Sequence, residues 1–301
     1  MKFNIVKQGK YLLLVSATLL ALGGISIATM GLKLGIDFTG GTVLTYTAIH
    51  PLTDAQITKG VNQKTYTPFQ IQQTNSLTYT ITTKPLSQAQ LTSLETILNK
   101  TFDRGEPASV NDIGPVIGSE LESDALKAVI LVSIAIILYI AYAFRSVPKP
   151  VSSWTFGVTA VLAMAHDVFI VLGAYALLGH FFGATIDTLF ITAILTVIGF
   201  SVHDTIVVFD RIRENMIKNA IEPFDEIVSN SLMETLGRSV NTSLTVILTL
   251  LALFLLGGAS IRWFVLTLLI GITSGTYSSI FVASQLLVVY ESWKKKRREK
   301  N

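Results

Sequence analysis

A chain of 301 residues that is 50% hydrophobic and only 14% charged, with a mean hydropathy of +0.56, has the composition of an integral membrane protein. This excludes a soluble enzyme, and the lack of any cysteine excludes disulfides, cysteine metal sites and thiol catalysis. The net charge of +3 comes from a few short basic segments and describes membrane topology rather than a nucleic-acid surface.

Six apolar runs are long enough to cross a hydrocarbon core of about 30 Å, which takes roughly 20 helical residues; they cover 11–30, 125–144, 153–178, 186–209, 239–256 and 263–290. The first has a basic start but is longer than a signal-peptide core of about 7 to 15 residues, and Ala28-Thr-Met30 is a poor cleavage site, so it reads as an uncleaved anchor. Lys2, Lys7 and Lys10, then Arg145 and Lys149, then Arg211, Arg213 and Lys218, and finally Lys294 to Arg298 with Lys300 flank alternate ends of these runs. The opposite short loops, 179–185 and 257–262, hold only Arg262, so both termini are expected in the cytoplasm. The basic tail, 294–301, is suited to anionic membrane lipid.

The organisation expected is a cytoplasmic N-terminus and first helix (1–35), an extracytoplasmic domain (36–122), a five-helix membrane domain (123–293) and the tail. In the second segment, 42–49 alternates and is rich in β-branched residues, 53–62 reads as a short helix, and 66–73 and 77–83 read as strands joined by a Thr-Asn-Ser turn. The best helix is 87–101, with Leu91, Leu94, Ile97 and Leu98 on one face, and 108–113 supplies a last strand. The order β-α-β-β-α-β predicts a small α+β, ferredoxin-like sheet with helices on one face. The fold class is thus an α-helical membrane protein with six transmembrane helices and this extracytoplasmic domain. In the membrane part, 210–237 is broken at Pro223 and predicts amphipathic interface helices.

Asp204 stands inside the fourth apolar run, where a lone carboxyl costs about 2.5 to 3.5 kcal/mol at the centre of a helix. The default role of such a group is a proton or ion site with a partner. Arg238 is the candidate partner, because it begins a polar stripe, Arg238, Thr242, Thr245 and Thr249, with Asn241 alongside, at helical spacing. At about 1.5 Å per residue, Asp204 lies about 26 Å from the outer end of its helix near Asp187, and Arg238 about 28 Å from Gly257. The alternative is that Arg238 only snorkels and Asp204 packs helices. His166-Asp167 is echoed by His203-Asp204. Adjacent helical residues point about 100° apart, so neither pair predicts a metal site; Asp167 suits a proton relay, and His166 and His203 suit helix interfaces. Gly35 to Thr42 lacks the ending of a phosphate loop, so its glycines predict a tight turn between membrane and domain. Gly271 and Gly275 form a Gly-x-x-x-Gly pair that, with Ser278, predicts a surface for close helix packing. No protease pattern or Ser-His pairing points to an enzyme, and no cofactor is implied.

The segments 35–42, 113–118, 165–168, 199–215, 234–244 and 275–283 together resemble the SecF family of bacterial protein translocase subunits, within the resistance-nodulation-division superfamily. The resemblance implies use of the proton-motive force to help draw exported polypeptides across the bacterial inner membrane. It matches Asp204 and Arg238 to the family's proton-pathway carboxylate and arginine, with Thr242, Thr245 and His203 as polar neighbours. It also implies a SecD partner, against which this chain's Gly271, Gly275 and Ser278 would offer a surface for close packing, and contacts with the SecYEG channel, a YajC-like subunit and the translocating polypeptide. Phe200, His203 and Gln285 stand where the family commonly has Tyr, Asn and Pro. A superfamily relative exporting a small molecule or lipid, or a structural subunit without ion flow, are the other classes compatible with this pattern.

Overall fold

The computed structural model describes residues 6, 9–59, 61, 65–66, 70–73, 76–103, 107–145, 147–148, 151–219 and 221–299. The chain divides into two compact units, Met1–Leu32 with Ala128–Phe182 and Leu189–Asn301, and Lys33–Lys127 with Gly183–Thr188.

The smaller unit holds α2 (Ile36–Thr39), β1 (Gly41–Thr47), α3 (Asp54–Ile57), β2 (Gln70–Gln73), β3 (Thr78–Thr83), α4 (Gln88–Thr101), β4 (Ser109–Ile113) and the start of α5 (Pro115–Ala143). Its sheet runs β2-β3-β1-β4 with every neighbour antiparallel, the order expected of the ferredoxin-like arrangement. Alternation decides the buried face: Leu44 and Tyr46 on β1 and Tyr79 and Ile81 on β3 point inward, where Leu94 and Leu98 of α4 meet them. A reciprocal cap starts α4, with Gln90 N donating to Ser87 Oγ and Ser87 N to Gln90 Oε1. Phe102 follows the helix and stacks on Tyr46 with ring centroids 4.6 Å apart. Burial, with the Glu95 charge adding to it, pushes the Tyr46 hydroxyl well above its usual range, and that hydroxyl donates to Asn99 Oδ1 at 2.7 Å.

Three details differ from the sequence reading. The helix expected over 53–62 is one turn, Asp54–Ile57, and β2 begins at Gln70; residues 67–69 and Thr74-Asn75 of the expected turn lie outside the described residues. The loop 183–188 belongs to this unit, through Ile186 N donating to Lys33 O (2.8 Å) and Gly35 N to Ile186 O (2.7 Å). Asp37, inside the Gly-rich segment, accepts from Thr188 N at 2.8 Å and Thr188 Oγ1 at 2.6 Å, a side-chain cap on the first residue of a helix.

The larger unit contains α1 (Gly9–Met30), the rest of α5, α6 (Ser153–Phe182), α7 (Thr188–Lys218), α8 (Phe224–Leu256), α9 (Arg262–Ser278) and α10 (Ser284–Glu299). Among the described residues of the chain, six helical stretches are long and apolar enough to span a membrane, the sixth made of α9 and α10 joined through a π-helical turn at Ser279–Ala283. The interior is built from α6, α7 and this sixth span, whereas little of α5 is buried. The interface helices expected over 210–237 are instead continuations of α7 and α8. Pro223 caps α8, and Asp225 and Glu226 in its first turn complement the helix dipole. Ile212 and Met216 of α7 and Ile227 and Val228 of α8 are buried, with Asn215 donating to Ser231 between the two helices, and this burial makes a closed hairpin cheaper than two helices lying on a surface.

Residues 36–122 expressed alone should give a mixed α/β circular dichroism spectrum and a cooperative melt, and Phe102→Ala should remove about 3 to 5 kcal/mol of its unfolding free energy. A random-coil spectrum of the parent fragment would contradict this core.

Candidate functional site

A carboxylate in an apolar bundle needs hydrogen-bond donors from its neighbours, because no bulk water supplies them. Asp167, in the middle of α6, is 0% exposed. Its Oδ2 accepts from Ser201 Oγ of α7 at 2.7 Å and from Ser278 Oγ of α9 at 2.6 Å. Its Oδ1 accepts from Ser274 Oγ at 2.8 Å and faces His166 Nδ1 at 3.1 Å. Ser274 and Ser278 are four residues apart, so one face of α9 delivers both hydroxyls. One carboxylate thereby ties three helices together.

The small residues of α9 make that approach feasible. A Cβ on Gly271 would lie 2.3 Å from Val197 Cγ2, and one on Gly275 would lie 3.1 Å from Ser201 Cβ and 3.6 Å from Asp167 Oδ2. The close helix packing expected of Gly271, Gly275 and Ser278 is therefore internal, between α9 and its own α6 and α7. It is not a surface offered to a second subunit, and Ser278 is a donor to Asp167 rather than only a small residue. Glycine's missing side chain is what the buried carboxylate cluster requires there.

Asp204 is 6% exposed and accepts from Ser279 Oγ at 2.7 Å. Ser278 and Ser279 are consecutive, so a single peptide step joins the donors of the two carboxylates. They sit where α9 passes into the π-helical turn, the kind of local irregularity that recurs at functional sites.

The expected Asp204–Arg238 ion pair is absent among the described residues. Arg238 is exposed and lines a cleft of ≈ 570 Å³ with Phe144, Asp210, Arg213, Glu214 and Glu234. Helix phase is the reason: α8 turns Thr235, Ser239 and Ser243 inward, which rotates Arg238, Thr242, Thr245 and Thr249 outward. Thr245 and Thr249 return their hydroxyls to the carbonyls of Thr242 and Thr245, at 2.7 and 2.9 Å. His203 is also exposed, so it does not lie at an interface within this chain, unlike His166. The two His-Asp pairs thus point in different directions. Beyond them, Glu234 Oε2 accepts from Arg211 Nε at 2.6 Å and Asn215 Nδ2 at 2.8 Å, which clasps α8 to α7 four residues before Arg238.

Residues 93–293 match the family described as "Protein export membrane protein SecD/SecF, C-terminal", and residues 25–48 match the "SecD/SecF GG Motif". The protein translocase subunit SecF of Thermobaculum terrenum is 45% identical over 96% of this chain and 94% of its own length. The chain belongs to the SecD/SecF family. Protein translocase subunit SecDF of Thermus thermophilus is 38% identical over 99% of this chain and 39% of its own. A crystal structure of SecDF from that organism, titled a translocon-associated membrane protein, aligns with a TM-score of 0.85 at 36% identity, over 97% of this chain and 39% of that one. The chain therefore spans about two fifths of the length of SecDF. The segment matching the SecD/SecF GG motif has a plain structural content: Gly40 and Gly41 have φ of 70° and 154°, and a Cβ on Gly41 would lie 2.7 Å from Thr83 O, so the turn into β1 excludes side chains at this pair.

Sequence reasoning identified both carboxylates but not Ser201, Ser274, Ser278 and Ser279 as their donors. The 274/278 spacing was the available signal.

Gly275→Leu should push α9 off α6 and α7 and lower the apparent melting temperature of the detergent-solubilised chain by several degrees, since overpacking costs about 1 to 3 kcal/mol. Gly275→Ala should do so less. An unchanged melting temperature for the leucine variant would refute the internal packing role.

Proposed function

We propose that this chain is a SecF-like subunit of the bacterial protein translocase that couples the proton-motive force to the export of polypeptides, and that Asp204, Asp167 and Arg238 lie on its proton pathway. The observation that supports this most directly is a pair of carboxylates buried in the bundle, each accepting from one of the consecutive residues Ser278 and Ser279. Such buried groups can change protonation state without exposing charge to lipid. Moving one elementary charge across 100 mV is worth about 2.3 kcal/mol, enough to bias a two-state element by about fiftyfold. Gaining or losing a proton at Asp204 changes what Ser279 can donate to, and Ser279 opens the π-helical turn of the sixth span. Repacking there is the step that would move the extracytoplasmic domain so that it grips and releases emerging chain.

Both termini lie in the cytoplasm in this reading, because the short basic segments flank that side. SecD is the partner, as the fused SecDF relative suggests. The outward stripe of Arg238, Asn241, Thr242, Thr245 and Thr249 on α8 adds support, since a polar face within a membrane span calls for a protein neighbour rather than lipid. Arg238 then contributes to the pathway from the covered face of α8, without pairing directly to Asp204 in this arrangement. The SecYEG channel, a YajC-like subunit and the translocating polypeptide complete the assembly.

Asp204→Asn should leave the chain inserted and bound to SecD while abolishing proton-dependent export, and Arg238→Met should do the same; precursor accumulation and proton uptake in membrane vesicles measure both effects. Normal export by Asp204→Asn would leave a structural subunit without ion flow. Sensitivity to a compound without accumulated precursor would instead indicate a small-molecule or lipid exporter.

A further inference from the structure

We propose that His166 is a proton-relay residue that passes protons to Asp167 Oδ1, a role that rests on the proton-coupled reading above and adds a residue to it. His166 is 5% exposed, in the middle of α6, and its Nδ1 lies 3.1 Å from Asp167 Oδ1. Its other ring nitrogen, Nε2, is buried and has no hydrogen-bond partner among the described residues. A neutral imidazole carries one N–H and one lone pair. The carboxylate oxygen beside Nδ1 accepts, which assigns the ring proton to Nδ1 and the lone pair to Nε2.

That arrangement is poorly explained by packing. A buried polar atom left unpaired costs about 1 to 3 kcal/mol, and a phenyl ring would fill similar space without it. Nor is it explained by the need for a donor to Asp167. Three serine hydroxyls already serve that carboxylate, and a shorter amide side chain would supply a fourth. What imidazole alone offers is a ring that takes a proton at one nitrogen and gives one up at the other. The comparison with the second pair is internal to the chain: His203 is exposed, and no bond to Asp204 is found among the described residues.

The step balances simply. A hydrated proton binds Nε2 and forms an imidazolium; the Nδ1 proton then crosses the 3.1 Å to Asp167 Oδ1. The products are a neutral ring protonated on Nε2 and a neutral carboxylic acid, so one proton enters and one is delivered. Asp167 is bonded to Ser278 and Asp204 to the next residue, Ser279, with no hydrogen bond between the two hydroxyls among the described residues. The groups that reach Asp167 from α7 and α9 are hydroxyls, which leaves His166, on the same helix as Asp167, as the titratable group bonded to it among the described residues.

The experiment expresses the full chain with its partner in cells depleted of the resident copy. It measures proton-driven precursor export in membrane vesicles for wild type, Asp204→Asn, His166→Phe and His166→Asn, alongside chain level and partner co-purification. Asn keeps an N–H near the Nδ1 position but cannot relay. The relay predicts that both His166 variants lose about tenfold or more of the proton-driven rate at unchanged assembly, the scale of a lost proton-transfer group. Full export by His166→Asn with loss in His166→Phe would overturn it in favour of a positioning donor, and full export by both would leave His166 no role. Asp204→Asn keeps the two readings apart: if it exports normally, proton coupling itself fails, whereas if it is inactive while His166→Asn is normal, only the relay fails. Should the His166 variants not accumulate, nitrogen NMR of a full chain with His50, His180 and His203 replaced by Gln reads the native ring. A proton on Nδ1 supports the relay, and the Nε2-protonated neutral form overturns it.

Discussion

The burial of two carboxylates within a bundle one membrane thick is the constraint from which the rest of the larger unit follows. An aspartate away from water must find donors from protein, and at Asp167 the hydroxyls come from two neighbouring helices, α7 and α9. To bring Ser201, Ser274 and Ser278 within 2.8 Å of one side chain, α9 must lie against α7 more closely than large side chains permit. Gly271 against Val197 and Gly275 against Ser201 meet that requirement. Burial of charge, small residues and helix spacing are one feature here. A change in any of them is felt by the others.

The same logic extends along the sixth span. Ser278 closes the Asp167 cluster and Ser279 serves Asp204, and at Ser279 the helix widens into a π-helical turn. The helix α8 is held to α7 by the Glu234 clasp and by Asn215, whose Nδ2 reaches Ser231 Oγ at 2.9 Å. Val246, Ile247 and Leu250 of α8 pack against Ala193, Val197, Leu268 and Ile272. In that orientation Ser239 and Ser243 face inward and the threonines outward.

The smaller unit depends on a different interaction, the alternation of strands against one amphipathic helix. Leu44, Tyr46, Tyr79 and Ile81 bury themselves against Leu94, Leu98 and Phe102, and among the described residues no charged group is buried in this unit. The glycine pair at 40 and 41 belongs to the backbone rather than to packing, because positive φ at both positions is what turns the chain into β1.

Apolar length, strand alternation and the Ser87–Gln90 cap are properties of consecutive residues, so the sequence by itself determined the six spans, the antiparallel four-stranded domain and the unusual standing of Asp167 and Asp204. Local pattern also determined where α4 lies, since its apolar face is written at i, i+3 and i+4. Partnership was decided only by tertiary structure. Matched depth and a polar stripe made Arg238 look like the companion of Asp204, yet depth says nothing of helix rotation, and a rotation of one residue turns the whole stripe outward. Likewise Gly-x-x-x-Gly marks a close contact without naming the helix across it, and two identical His-Asp dipeptides gave no sign that one histidine would be buried against its aspartate and the other exposed. Those outcomes depend on which face of each helix meets which neighbour, and that is settled by the packing of all the helices together rather than by any one of them.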